Sequence, residues 1–240
     1  MRRTVLRLHE KVAIATPVRG ANPRTALAPL GYGEFIRRLC RSLPALDPVF
    51  TFTLDPVRAR NRLAAQVLRD CPQAGGILWI DDDEFFEDSA DGVRVISEML
   101  ATNEDLIGVP YTNKHPPIRW VHELLPTRHE PDERGCLRVA KLGFGMTYTS
   151  RAGLEAMARI SRLYRDWPHP HKIPDLFLQV YEPHGDDPTD AAKLSEDFSF
   201  CYRWGHELGR PVYLYARSGV VMHAGSHAWS ARDLPGGVRS

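Results

Sequence analysis

The sequence has no C-x-x-C pair. Its four cysteines, Cys40, Cys71, Cys136 and Cys201, are widely spaced, which excludes a zinc ribbon and a dithiol redox motif and leaves reduced thiols as the expectation. Nor does any apolar run approach the roughly 20 residues that a membrane span needs. Met1-Arg2-Arg3 has the charge of a signal-peptide start, but Arg7, His9, Glu10 and Lys11 interrupt the apolar stretch such a peptide requires, so a cytoplasmic location is expected. An excess of one charge is missing too. The 31 Lys and Arg against 30 Asp and Glu give a net charge of +1, without the clustered basic surplus of a dedicated nucleic-acid binder. Internal repeats and low-complexity tracts are also absent. What is present, 43% hydrophobic and 25% charged residues, is an ordinary globular composition. A length of 240 residues fits one α/β domain with an elaborated loop region.

The most informative stretch is Gly76-Ile77-Leu78-Trp79-Ile80 running into Asp81-Asp82-Asp83-Glu84-Phe85-Phe86. The short apolar run reads as a buried strand, and four carboxylates at its end call for a positive counterpart. Hard cations such as Mg²⁺ or Mn²⁺ prefer carboxylate ligands, and a phosphorylated substrate can complete their coordination. The competing explanation is a strand end whose acids open the next helix, where negative charge suits the dipole.

Around that stretch the chain alternates. Val12 to Pro17 reads as a first strand ended by proline, and Phe35, Leu39 and Leu43 mark an amphipathic helix that Pro44 and Pro48 close. Val49–Leu54 is the second strand, and Pro56 opens a helix with Leu63, Ala64, Val67 and Leu68 on its buried face. Gly76–Ile80 is the third strand. A helix over about Asp91–Leu100 and a fourth strand at Leu106–Pro110 follow. Such alternation implies a largely parallel sheet with helices on both faces, whose ligands gather at the carboxyl ends of the strands. Thr16, Asp55 and Asp81–Asp83 all lie at such ends.

From Tyr111 to Thr149 the pattern changes to strand-like pieces near Ile118–Leu125 and Leu137–Thr149, read as an antiparallel excursion off the sheet. Gly143 and Gly145 flank Phe144, which predicts close approach of the backbone to a ligand or another segment. Ser150 caps a helix carrying Leu154, Met157 and Ile160. The segment from about 165 to 194, rich in proline, histidine and acids, reads as a long loop: a lid, a binding loop or a disordered segment. Ser195-Glu196-Asp197 opens a last helix that Gly209 stops, and two strand-like pieces, Val212–Ala216 and Gly219–Met222, lead to His223.

The order of these motifs resembles the GT-A glycosyltransferases, in particular small ones similar to family 2 sugar transferases, over most of the chain. The match runs through Thr16-Pro17, Arg60-Asn61, Trp79-Ile80-Asp81-Asp82-Asp83, Ile107-Gly108-Val109-Pro110-Tyr111, Gly143-Phe144-Gly145-Met146, Ser195-Glu196-Asp197-Phe198 and His223-Ala224-Gly225. The resemblance implies a Rossmann-like α/β fold: a mostly parallel central sheet with helices on both faces and a small antiparallel extension. Within a single domain over 1–240, residues from about 11 to 110 would bind the nucleotide-sugar. Residues from about 111 to 230 would bind the acceptor, selected by the 165–194 loop.

The same resemblance implies site roles. Asp83 is the direct metal ligand, Asp81 a ribose or metal-water contact, and Asp82 part of the same motif. His223 completes the metal site, with His227 as the competing candidate. Asp197 is the general base and Glu196 an acceptor contact, although Ser-Glu-Asp is also an ordinary helix start. Thr16 and Pro17 floor the nucleotide pocket, Arg60 and Asn61 lie near the base or diphosphate, and Tyr111, Lys114 and Trp120 border the sugar or acceptor.

The expected activity is therefore Mn²⁺- or Mg²⁺-dependent transfer of a sugar from a nucleoside-diphosphate donor, a UDP-sugar, to a glycan, peptide or small-molecule acceptor with inversion. Two rival classes are a metal-dependent nucleotidyltransferase and a non-catalytic carbohydrate-binding protein that keeps the fold. The first would bring a basic, glycine-rich phosphate loop after the first strand, of which Thr16-Pro17-Val18-Arg19-Gly20 is a poor version.

Overall fold

The computed structural model describes residues 11–18, 28–43, 48–52, 55–127, 130–167, 171–184, 187–217, 221–224 and 228–230. His227 lies outside them. The chain begins with β1 (Lys11–Val18), α1 (Ala28–Ser42), β2 (Pro48–Phe52), α2 (Pro56–Asp70), β3 (Ala74–Ile80), β4 (Glu84–Phe86), α3 (Ser89–Ala101) and β5 (Leu106–Gly108). It continues with β6 (His122–Leu124), β7 (Cys136–Leu142), β8 (Met146–Ser150), α4 (Arg151–Ile160), β9 (Leu163–Arg165) and β10 (Lys172–Pro174). Last come β11 (Tyr181–His184), β12 (Asp187–Lys193), α5 (Glu196–His206), β13 (Val212–Tyr215), β14 (Val221–Ala224) and β15 (Ala228–Trp229).

Eight strands form the central sheet in the order β2-β1-β3-β8-β5-β13-β7-β6. β1 lies between β2 and β3 and parallel to both, and β5 and β13 are parallel neighbours. β8 runs antiparallel between β3 and β5. The strand-like 137–149 region therefore divides: β7 joins the antiparallel margin with β6, while β8 returns to the middle of the sheet instead of leaving it. Every residue of β8 is buried, which suits a strand covered on both faces.

Helices cover both faces, and the alternation within the strands says which. Val12, Ile14, Leu78 and Ile80 pack with Phe35, Leu39, Val95, Ile96 and Met99 of α1 and α3. Their sequence neighbours Ala13, Ala15, Ile77 and Trp79 pack on the other face with Leu63 and Val67 of α2, Leu154 and Met157 of α4, and Phe200 and Trp204 of α5. The fold is a Rossmann-like, doubly wound α/β arrangement.

The helix starts are set by short polar caps. The Asp55 side chain accepts from the backbone N–H of Arg58 at 3.3 Å, with Pro56 at the first helical position of α2. Ser150 accepts from Gly153 N–H at 3.0 Å and Ser195 from Phe198 N–H at 3.4 Å. α3 starts earlier than its apolar pattern suggests because Asp88 is its cap, accepting from Ala90 N–H at 2.8 Å. Gly209, at φ 63°, ends α5 where expected. Two antiparallel ladders, β9 with β10 and β11 with β12, occupy much of 163–194, where prolines and short apolar pieces disguise them in sequence.

Two features position the site. The turn after β3 closes with Glu84 N–H donating to the Asp81 carbonyl at 3.2 Å and leads into β4. β4 then pairs antiparallel with β14 in a separate three-stranded sheet, in a register that sets His223 opposite Glu84.

Candidate functional site

The acids after β3 diverge within one turn. Asp81 faces α2, where both its oxygens accept from Arg60 Nη2 at 3.0 and 3.1 Å. Asp83 and Glu84 face β14. One oxygen of Asp83, one of Glu84 and a ring nitrogen of His223 lie within 4.8 Å of one another, a three-donor group able to hold a metal ion. His223 Nε2 is 3.6 Å from Asp83 Oδ1 and 3.9 Å from Glu84 Oε1. On the far side of the ring, His223 Nδ1 is 2.7 Å from the Thr112 carbonyl oxygen. That carbonyl can only accept, so Nδ1 carries a proton, and Nε2, which faces the two carboxylates, is the ring nitrogen placed to ligate a metal.

Electrostatics separates the two acids. Burial alone disfavours the charge on Asp83, but the His223 ring and the Lys114 ammonium on Asp83 Oδ2 hold its carboxyl well below the usual carboxylate range. Glu84 is 1% exposed, neither of its oxygens has a hydrogen-bond partner, and burial followed by the charges of Asp81, Asp83 and Asp197 pushes its carboxyl well up. A buried carboxylate without partners is a costly arrangement that a cation would relieve. The donor set thus fits a divalent ion on its own chemistry. One imidazole nitrogen with carboxylate oxygens favours Mn²⁺ over Mg²⁺, since Mg²⁺ binds almost wholly through oxygen.

The Gly143–Gly145 turn between β7 and β8 presses against this group, as the paired glycines predict. A Cβ on Gly145 would lie 1.9 Å from Glu84 Oε1, and one on Gly143 would lie 2.1 Å from the Tyr111 hydroxyl. The Tyr111 hydroxyl accepts from Gly145 N–H at 3.0 Å, and its buried ring meets His223 edge-on at 5.8 Å. Tyr111, expected at the border of the sugar or acceptor, packs behind the Asp83–Glu84–His223 group. The same turn reaches the other carboxylates: Phe144 N–H donates to Asp197 Oδ2 at 3.1 Å, and the Gly145 carbonyl accepts from Asp81 N–H at 2.9 Å.

Arg60 binds the two halves together. Its guanidinium, 2% exposed, serves Asp81 through Nη2, Glu196 Oε1 through Nη1 at 3.0 Å, and approaches Asp197 Oδ1 with Nε at 3.5 Å. Arg60, expected near the base or diphosphate of a nucleotide, has these three acids as its described ionic contacts. Asp197 Oδ1 has no hydrogen bond, and burial, then Glu196 and Asp81, push its carboxyl up to about 7 against the opposing pull of Arg60.

The remaining expected residues are distributed around this centre. Thr16 is fully buried, with its hydroxyl 2.5 Å from that of Tyr32, and Pro17 is buried in β1 beside it. Asn61 spends its amide on structure, donating to Asp175 Oδ1 at 2.9 Å and accepting from Phe177 N–H at 3.0 Å. Asp82 is half-buried on the turn, and Trp120 is exposed on a bridge to Thr112. Glu84 is the residue that sequence reasoning left without a role. The aromatic pair Phe85-Phe86 directly after it is the signal that the chain turns inward there, and Phe86 is indeed buried.

No family model matches the chain, and no curated protein matches it. Among solved structures it is similar to A197 from STIV, with a TM-score of 0.52 and 12% identity over 92% of this chain and 89% of that one. Looser matches are a glycosyltransferase involved in the glycosylation of the major capsid of PBCV-1 (TM-score 0.37, 12% identity, 61% and 62% covered) and mannose-1-phosphate geranyltransferase from Thermus thermophilus (TM-score 0.43, 12% identity, 63% and 61% covered). The first likeness is one of fold alone, and the other two are too loose to bear on this chain's activity.

Proposed function

We propose that the chain is a metal-dependent glycosyltransferase that moves a sugar from a nucleoside-diphosphate donor, a UDP-sugar, to an acceptor nucleophile, with inversion and with Asp197 as general base. The observation that carries the reading is the pairing of two carboxylate centres across the Gly143–Gly145 turn: Asp83, Glu84 and His223 on one side, and Asp197, held by Phe144 N–H and Arg60, on the other.

In this reading Asp83, Glu84 and His223 hold the ion, which supplies Lewis-acid neutralisation of a departing diphosphate when bound. Asp81, fixed by Arg60, faces the ribose side. The Asp197 carboxylate takes the proton of an acceptor hydroxyl as the hydroxyl oxygen attacks the anomeric carbon, and its raised affinity for protons suits a base working near neutral pH. Phe144 N–H and the Arg60 guanidinium fix the carboxylate. Glu196, tied to the same guanidinium, contacts the acceptor. The 165–194 loop selects it.

Incubation with a panel of nucleotide-sugars and Mn²⁺, with nucleoside diphosphate followed over time, tests the reading. Slow donor hydrolysis yielding nucleoside diphosphate supports transfer chemistry. Pyrophosphate release instead would mark nucleotidyl transfer, and donor binding without turnover would mark a silent carbohydrate binder.

A further inference from the structure

Asp83 has two oxygens with two different neighbours. Oδ1 faces His223 Nε2 and the proposed ion, while Oδ2 accepts from the Lys114 ammonium. Lys114 comes from the 111–121 segment, which also supplies the Thr112 carbonyl that orients His223 and the Tyr111 hydroxyl held on the glycine turn. That segment is itself anchored by Val121 N–H donating to the Tyr111 carbonyl at 2.9 Å and Asn113 N–H to the Arg119 carbonyl at 2.9 Å. The ammonium is therefore mounted on the framework that shapes the metal group. Its side chain keeps 18% exposure, and Asp83 is its one hydrogen-bond partner among the described residues, so two of its three N–H donors remain for a ligand.

A cation on Oδ1 and an ammonium on Oδ2 of one carboxylate are close enough to repel each other. An anion that touches both reverses the sign, because each positive charge then favours the other's ligand. We propose that Lys114 is the second cation of the diphosphate site: with the metal it brackets the leaving diphosphate, and it makes metal binding and diphosphate binding depend on one another. The assignment rests on reading Asp83, Glu84 and His223 as a metal centre. It adds a coupling that the metal ligands alone do not provide. By linkage, the factor by which bound diphosphate strengthens metal binding equals the factor by which bound metal strengthens diphosphate binding, and Lys114 contributes to that shared factor.

Calorimetric titrations of the full chain test this with Mn²⁺ alone, and with UDP and GDP at saturating Mn²⁺, for the wild type, Lys114→Met, Lys114→Arg and Asp83→Ala. Lys114→Met is expected to bind Mn²⁺ alone at least as tightly as the wild type and to bind the diphosphate about tenfold more weakly, a 1.4 kcal/mol loss. Lys114→Arg, which keeps the charge, is expected to retain most of the diphosphate affinity. Far-UV circular dichroism and the melting temperature establish that each variant is folded. Wild-type Mn²⁺ binding that Asp83→Ala abolishes, together with unchanged diphosphate affinity in Lys114→Met, would overturn the role of Lys114 and leave the metal centre standing. Absence of Mn²⁺ binding to the wild type would overturn both.

Discussion

Arg60, Asp197 and Glu84 show how much one side chain decides. Arg60 is buried among Asp81, Glu196 and Asp197, so its removal leaves three carboxylates facing one another without a counter-charge. Arg60→Met is expected to cost about 3–5 kcal/mol of stability, read by urea denaturation, because breaking a buried ionic group by deleting one member strands the others. Asp197 gives a pH signature. As the base it must be ionised, so transfer should rise with pH through about 7 and level off above, and Asp197→Asn should remove that limb and lower the rate by about 100- to 10,000-fold. Stability responds in the opposite sense. Between its unfolded value of about 4 and its folded value near 7, the native state holds a proton that the unfolded chain has lost. Asp197 therefore lowers stability as pH rises through that window, and melting temperatures of the Asn variant should fall less over the same range. The sequence showed that Asp81, Asp83, Glu196 and Asp197 were acids of interest. It did not show that one arginine joins them, because contacts between residues 60, 81 and 196 depend on how strands and helices come together. Glu84 was illegible for the same reason, since burial beside His223 is set by the β4–β14 register.

Whole elements were more legible than their partners. The glycine-flanked turn at Gly143–Gly145 was readable as a close approach, though what it approaches, the Glu84 carboxylate and Tyr111 hydroxyl, was not. Gly145→Ala puts a methyl where the Glu84 oxygen now lies. It is expected to cost about 1–3 kcal/mol through forced backbone shifts, and Mn²⁺ titration should show weakened binding beyond that loss. The α2 start shows the converse. The Arg-Asn pair reads as ligand-facing, but Asn61 holds the 175–177 turn, which Arg203 also grips through the Asp175 and Leu176 carbonyls at 3.1 Å. Asn61→Ala should leave Phe177 N–H and an Asp175 oxygen unpaired, at a cost of about 1–3 kcal/mol, measurable by chemical denaturation. Hydrophobic periodicity located α1, α2, α4 and α5 because each buries one stripe on the sheet. It could not place β8, whose uniformly buried residues carry no alternation to reveal direction or neighbour.

Across the molecule, the doubly wound plan brings the carboxyl ends of β1 and β3 to one edge and lets the small β15-β14-β4 sheet fold His223 back onto it. No helix among the described residues is long and apolar enough to cross a membrane. Three donors drawn from positions 83, 84 and 223 tie the third strand to the chain's last strands, so an ion bound there stabilises the fold as a whole. At 100 times its Kd, Mn²⁺ should add about 2.7 kcal/mol and raise the melting temperature, with EDTA reversing the shift and His223→Ala reducing it. Metal-dependent sugar transfer through Asp83 is tested most directly by nucleoside-diphosphate release from nucleotide-sugars by the wild type and Asp83→Ala, each with Mn²⁺ and with EDTA. Release by the wild type is expected to need Mn²⁺ and to disappear in a folded Asp83→Ala. Release that survives EDTA or the loss of Asp83, or no release from any donor, would contradict it.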